Sequence, residues 1–162
     1  SNGSLGHGLS LGVGIALAAQ LKNKDYKVFV MLGDGECNEG SVWEAVMCAS
    51  HYNLKNLVAI VDRNSMQNDG ESKDILNFDS IESAWKGFGW EVRSVDGHDF
   101  IKLSKGFSLD QSVNKPTVVI ANTVKGKGIS FMENVPSWHH GSLTQETYNS
   151  AIEEIQQSYN AD

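Results

Sequence analysis

Proline is scarce in this 162-residue chain, with two residues, and so is cysteine, also with two. Cys37 and Cys48 cannot build a disulfide scaffold, and they suit a reducing, intracellular and cytoplasmic setting. Positive charge is in short supply too: 13 Lys and Arg face 20 Asp and Glu, a formal net charge of −7. A nucleic-acid binder needs a clustered basic face to meet phosphates, so no nucleic-acid partner is expected. Short basic stretches such as Lys125-Gly126-Lys127 can still meet a small anion. No long apolar run exists. The longest, GVGIALAA at 12–19, falls far short of the ~20 residues that a membrane span requires, so no membrane partner is expected. No basic segment precedes that run as it would in a secretory signal. The chain opens on Ser1 rather than Met, which reads as a processed, truncated or engineered start, with a further segment expected upstream.

What is present alternates. Leu9 to Leu21, rich in Leu and Ala with Gly12 and Gly14 among them, predicts a helix buried on more than one face. KVFVML at 27–32 predicts a buried strand stopped by Gly33. From Ser41 the period changes: Val42, Ala45, Val46 and Ala49 line one face of a helix running to about Tyr52. LVAIVD at 57–62 is a second buried strand, followed by the polar loop RNSMQNDGESKD. A helix near 80–87, a strand WEVRSV at 90–95, a helix opening at DGHDF and a strand within KPTVVIANT at 115–123 come next. Ser142 and Gln145 stand in capping-box spacing before the last helix. This order predicts one α/β domain over residues 1–162, a parallel β-sheet with helices on both faces.

Parallel sheets of this kind hold ligands beyond the carboxyl ends of their strands. Gly33-Asp34-Gly35 and Arg63-Asn64 both follow strand ends, so they are expected on one rim. A carboxylate from Asp34, an amide oxygen from Asn64 and a carbonyl from the loop beyond it suit Mg²⁺, a hard cation that usually shares its shell with phosphate and water. The glycines beside Asp34 let a diphosphate approach the backbone, and the helix starting near Ser41 offers it a positive N-terminal end. Gly-Asp-Gly is also a common turn signal, so the triplet gains weight only with Asn64 at the next strand end. Other chemistries fit less well. Cys37, Cys48 and His51 lack zinc-like spacing, Gly6-His7-Gly8 lacks the rest of a dinucleotide fingerprint, and no GxSxG elbow or Walker loop is present.

GSLGHGLSLGVGIA, GDGECNEGSVWEA, LVAIVDRN and SWHHGSL, in that order, resemble the N-terminal, diphosphate-binding region of transketolases, closest to the split bacterial form in which that region is a separate chain. The resemblance covers roughly residues 1–145. It implies a thiamine diphosphate-binding fold that is partial relative to the family, with thiamine diphosphate and Mg²⁺ or another divalent cation as cofactors. It implies Asp34, Asn64 and the carbonyl of Met66 as metal ligands, Gly33 and Gly35 along the diphosphate, and Gly3 and Leu5 beside the thiamine rings. His140 would reach the diphosphate and the reacting centre, while Glu39 and Glu44 would join a carboxylate network between cofactor sites. Glu39 and Glu44 also suit a plain helix N-terminus, and His139 and His7 have no comparable argument.

The implied activity is transfer of a two-carbon ketol unit from a ketose to an aldose, often as sugar phosphates. It would be completed by a C-terminal transketolase subunit carrying the pyrimidine-binding domain, with self-association besides. The glutamate that activates the aminopyrimidine and several upstream histidines have no counterpart here, so the chain alone is expected to be inactive. Deoxyxylulose-phosphate-synthase-like and pyruvate-dehydrogenase-like enzymes are the nearest alternatives. A non-catalytic binding or assembly module is the alternative of another class.

Overall fold

The computed structural model describes residues 3–78, 80–108 and 113–159. Helix α1 spans Gly8–Leu21, strand β1 Val28–Gly33, helix α2 Gly40–His51 and strand β2 Leu57–Arg63. Two short strands, β3 (Met66–Gln67) and β4 (Gly70–Glu71), lead into a single turn α3 (Ser72–Ile75) and helix α4 (Ile81–Gly87). Strand β5 (Glu91–Asp96), helix α5 (Phe100–Phe107), strand β6 (Thr117–Asn122) and helix α6 (Gln145–Tyr159) follow. Four strands form a parallel sheet in the order β1-β2-β6-β5. The chain steps outward from β1 to β2 and returns inward from β5 to β6, so crossovers of one hand carry α2 and α5 to opposite faces.

The larger core lies on one face. Leu57, Ala59 and Val61 of β2 and Val118 and Ile120 of β6 pack with Leu9, Val13 and Ala16 of α1, with Val42, Val46 and Ala49 of α2, and with Trp85 of α4. Gly12 is required there, because a Cβ on it would lie 2.4 Å from the Val30 side chain. On the other face Gly106 of α5 comes down on Val119, and Phe107 meets Phe29 edge to face, ring centroids 6.5 Å apart. The sheet therefore carries helices on both faces, as the alternation of elements predicts.

Two details differ from expectation, and for one reason. β1 is an edge strand, and its Phe29 and Met31 remain 51% and 68% exposed. Likewise α1 buries one face only: Leu11, Ile15 and Leu21 are exposed and nothing lies near a Cβ on Gly14. Continuous apolar composition predicts burial on every side, but α5 reaches this side of β1 only through Phe107, and among the described residues no element covers the outer face of α1.

The expected polar loop after β2 is built instead. Asn68 and Asp69 turn the chain between β3 and β4, with Gly70 at φ +150°. The expected cap of α6 moves by two residues. Thr144 Oγ1 accepts the Thr147 N–H at 3.2 Å, and Thr147 Oγ1 accepts the Thr144 N–H at 2.9 Å. Gln145 points instead to Asn149. Thr144→Ala is therefore expected to lower stability by about 1 kcal/mol and Ser142→Ala to leave it unchanged, as read by thermal unfolding.

Candidate functional site

Asp34 follows the last residue of β1, and its N–H donates to the Asp62 carbonyl in β2, so the two strand ends are laced together. Its carboxylate then gathers donors from both. Oδ1 accepts the Gly35 N–H at 2.9 Å; Oδ2 accepts the Ser65 N–H at 2.9 Å and the Ser72 hydroxyl at 3.3 Å. Ser65, next to Asn64, has φ +61°, a left-handed conformation costly for a residue with a Cβ. That backbone turn is what aims its N–H at Asp34. Asn64 Oδ1 accepts the Met66 N–H at 3.0 Å, which folds the chain back into β3. Asp34, Asn64 and Met66 therefore sit on one rim of the sheet.

Burial raises the Asp34 pKa above the ordinary carboxylate range, and the nearby Asp62 adds to the rise, against the three hydrogen bonds that lower it. A partly dehydrated carboxylate with lone pairs to spare is a fitting place for a divalent cation. Among the described residues no three His, Cys, Asp or Glu side chains gather into a metal site. Asp34 offers one carboxylate, Asn64 an amide oxygen and Met66 a backbone carbonyl, a combination that would suit a cation that keeps water and phosphate in its shell.

The rest of the rim follows from the same strand ends. Thr123, just past β6, donates its hydroxyl to Asp62, and its N–H donates to the Arg63 carbonyl. His98, just past β5, accepts the Val124 N–H on Nε2 at 2.8 Å. The 3₁₀ turn Pro136–His139 packs against β3, which brings His139 and His140 to the same rim, their rings 4.7 Å apart and exposed. Slight desolvation of its ring and the nearby charge of Lys125 lower the His139 pKa below its usual value. A pocket of about 260 Å³ runs beside Asp34, Arg63, Ser65 and Ser72 toward Phe78 and Ile81. That is below the ~300–1,000 Å³ of a typical cofactor pocket, so it does not enclose a large ligand by itself.

Glu39 and Glu44 are both exposed, Glu39 at the N-cap of α2 and Glu44 on the outer side, opposite the buried Val42, Ala45, Val46 and Ala49. Leu5 is 51% exposed in the opening loop, and a Cβ on Gly3 would meet nothing. The helical N–H groups nearest Asp34 are not those of α2. A 3₁₀ turn, Gly35–Asn38, intervenes and is capped by Asp34 itself. Cys37 lies buried in that turn. Its thiol is pushed up to about 12 by burial and by the neighbouring Glu36 and Asp34 carboxylates, so it is no nucleophile. Iodoacetamide at neutral pH is expected to label Cys48 and to spare Cys37 in the folded chain, as peptide mass mapping would show. The reading of the sequence overlooked Ser65, Ser72 and Glu36. Only the S-M-Q-N-D-G turn signal hinted that the polar stretch folds back on the site.

A parallel α/β sheet with Gly-Asp-Gly at one strand end, Asn at the next, and donors converging between them defines a strand-end cofactor domain. The chain belongs to the transketolase family, within its thiamine diphosphate binding domain, whose family model matches residues 1–160. It is 44% identical over 156 residues to an apulose-4-phosphate transketolase subunit of Phocaeicola vulgatus, covering 96% of this chain and 56% of that one. It is 38% identical to the 6-deoxy-6-sulfo-D-fructose transketolase subunit SqwG of Clostridium sp., covering 96% of this chain and 57% of that one. The crystal structure of Campylobacter jejuni transketolase superposes with a TM-score of 0.89 at 28% identity, over 96% of this chain and 26% of that one. The chain thus spans about half the length of the subunit-type relatives it matches.

Proposed function

We propose that residues 1–162 act as one domain that binds the Mg²⁺–diphosphate end of thiamine diphosphate in a transketolase-type enzyme. The observation that carries this is the convergence of the β1 and β2 ends on the Asp34 carboxylate. The Asp34 carboxylate, the Asn64 amide oxygen and the Met66 carbonyl would hold Mg²⁺, with Gly33 and Gly35 along the diphosphate. Leu5 and Gly3 would border the rings, and His140 would meet the reacting end. When bound, the cofactor supplies the electron sink for cleaving and forming the carbon–carbon bond of a ketol unit. The protein's own part is to hold the Mg²⁺ that would offset the diphosphate charge and to fix the position of the cofactor.

The pocket beside Asp34 is too small for the whole cofactor, and several relatives of this chain are named as transketolase subunits. Both facts support completion by a partner chain carrying a pyrimidine-binding domain, which would supply the activating glutamate. Glu39 and Glu44, exposed in the lone chain, would lie toward that partner or toward a second copy. The complete assembly would move a two-carbon unit from a ketose to an aldose, with sugar phosphates as the substrate class.

The test is a ketose–aldose assay with thiamine diphosphate and Mg²⁺, run on the chain alone and with a C-terminal transketolase subunit. Turnover is expected only from the mixture. Sustained turnover from the chain by itself would refute the half-site reading, and no turnover from any mixture would count against the activity.

A further inference from the structure

Glu36 enters the site so far only as a neighbour of Cys37, yet it makes two backbone bonds, one of them to a residue thirty positions away. Its Oε1 accepts the Gly6 N–H at 2.9 Å and its Oε2 accepts the Gly33 N–H at 3.2 Å. One half-buried carboxylate therefore joins the opening loop to the end of β1. Gly6 is held on its other sides as well. Its carbonyl accepts the Ser41 hydroxyl at 2.9 Å, and at φ +82° a Cβ would lie 2.5 Å from Ser41 Oγ and 2.9 Å from Glu39 Cβ. The peptide on both sides of Gly6 is thus gripped by the segment from Gly33 to Ser41, with space for glycine alone.

From this geometry we infer that Glu36 is a positioning residue, which fixes the opening loop that carries Leu5 relative to the strand end that carries Asp34. The inference rests on the proposed reading of the site, where Asp34 holds the metal–diphosphate end and Leu5 borders the rings. A ligand long enough to touch both requires their separation to be set in advance, because any ordering of the loop on binding is subtracted from affinity. A carboxylate suits this role. Each oxygen accepts one N–H, and charge-assisted bonds of this kind are roughly twice as strong as neutral ones. Glutamine in its place offers one oxygen and one NH₂ group, so one of the two glycine N–H groups would face a donor.

Two measurements on the full 162-residue chain test this, using Glu36→Gln and Glu36→Ala, with Ser41→Ala as a second variant that leaves the carboxylate in place. The first is amide hydrogen exchange followed by NMR without ligand. The Gly6 amide is expected to exchange about tenfold faster in Glu36→Gln, the equivalent of one hydrogen bond of about 1.4 kcal/mol. Unchanged Gly6 exchange in both Glu36 variants would overturn the latch, whatever the chain binds.

The second compares two probes in the presence of Mg²⁺: thiamine diphosphate, which would reach both halves of the cradle, and inorganic diphosphate, which would reach only the Asp34 half. All three variants are expected to lose about tenfold in affinity for thiamine diphosphate and to keep their affinity for inorganic diphosphate. A role in stability alone would weaken both probes together, and that equal loss, like no loss of either, would overturn the inference. Failure of the unaltered chain to bind thiamine diphosphate would instead remove the proposed function, and with it the role of the latch in binding. The exchange data would then still show whether Glu36 ties the loop.

Discussion

Replacing Asp34 by asparagine is expected to abolish measurable Mg²⁺-dependent binding of thiamine diphosphate while leaving the fold intact. The Asp34 side chain is the one carboxylate in the proposed donor set, so asparagine keeps the shape and removes the charge. Loss of outer partners of a metal commonly costs 10–100-fold in affinity, and loss of a charged ligand is expected to cost on the order of 100-fold or more. Stability should change much less than binding. The Asp34 pKa is raised in the folded chain, chiefly by burial, so the ionised form is the one that folding disfavours. The sign follows: its contribution is favourable at acid pH and is lost as pH rises through the folded pKa. At neutral pH without metal the two effects oppose: Asp34→Asn removes the disfavoured charge, but its NH₂ group would face either the Gly35 or the Ser65 N–H, so its unfolding midpoint is expected to stay close to that of the parent chain. Calorimetric titration with Mg²⁺ and thiamine diphosphate, paired with thermal unfolding, checks both halves. Binding retained within a few-fold would remove Asp34 from the metal site.

The strand ends that build this rim were legible because β-branched runs stop at residues with unmistakable preferences. KVFVML ends on Gly33, and LVAIVD runs into Arg63 and Asn64. The α2 face was legible for a similar reason, since its four small apolar residues recur at helical spacing and all four are buried. Other features had no such signature. Strands of two residues, like β3 and β4, carry no period, so the hairpin that brings Ser65 and Ser72 to Asp34 reads as loop. The exposure of Phe29 and Met31 is invisible because an apolar run looks alike whether one face of the sheet is covered or both. The role of Glu36 depends on Gly6, thirty residues away, which no local pattern connects to it. At α6, Ser142 and Thr144 are both good caps, and where the helix begins decides between them.

The other large effect concerns Trp90, at the junction of α4 and β5, and it should be the converse of the Asp34 result. Trp90 is 2% exposed and packs edge to face on Trp85, ring centroids 4.7 Å apart. Its indole N–H donates to the Val46 carbonyl at 2.9 Å, inside α2. One side chain thus joins α2, the end of α4 and the start of β5 beneath the sheet face that holds the main core. Trp90→Ala opens a cavity that rigid neighbours such as Trp85 cannot fill, and is expected to cost about 3–5 kcal/mol. In a domain of this size that corresponds to a fall on the order of 10 °C in the unfolding midpoint. Trp90→Phe keeps most of the packing and loses the indole hydrogen bond, so it should cost roughly 1 kcal/mol beyond its smaller cavity. Neither change touches Asp34, Asn64 or Met66, which are anchored by bonds among the β1 and β2 ends. Below its unfolding transition Trp90→Phe should therefore bind Mg²⁺ and thiamine diphosphate as the parent chain does. A Trp90→Phe protein that stays folded yet loses the cofactor would mean that α2 and the rim move as one body, and that the site depends on the core as well as on its own strand ends.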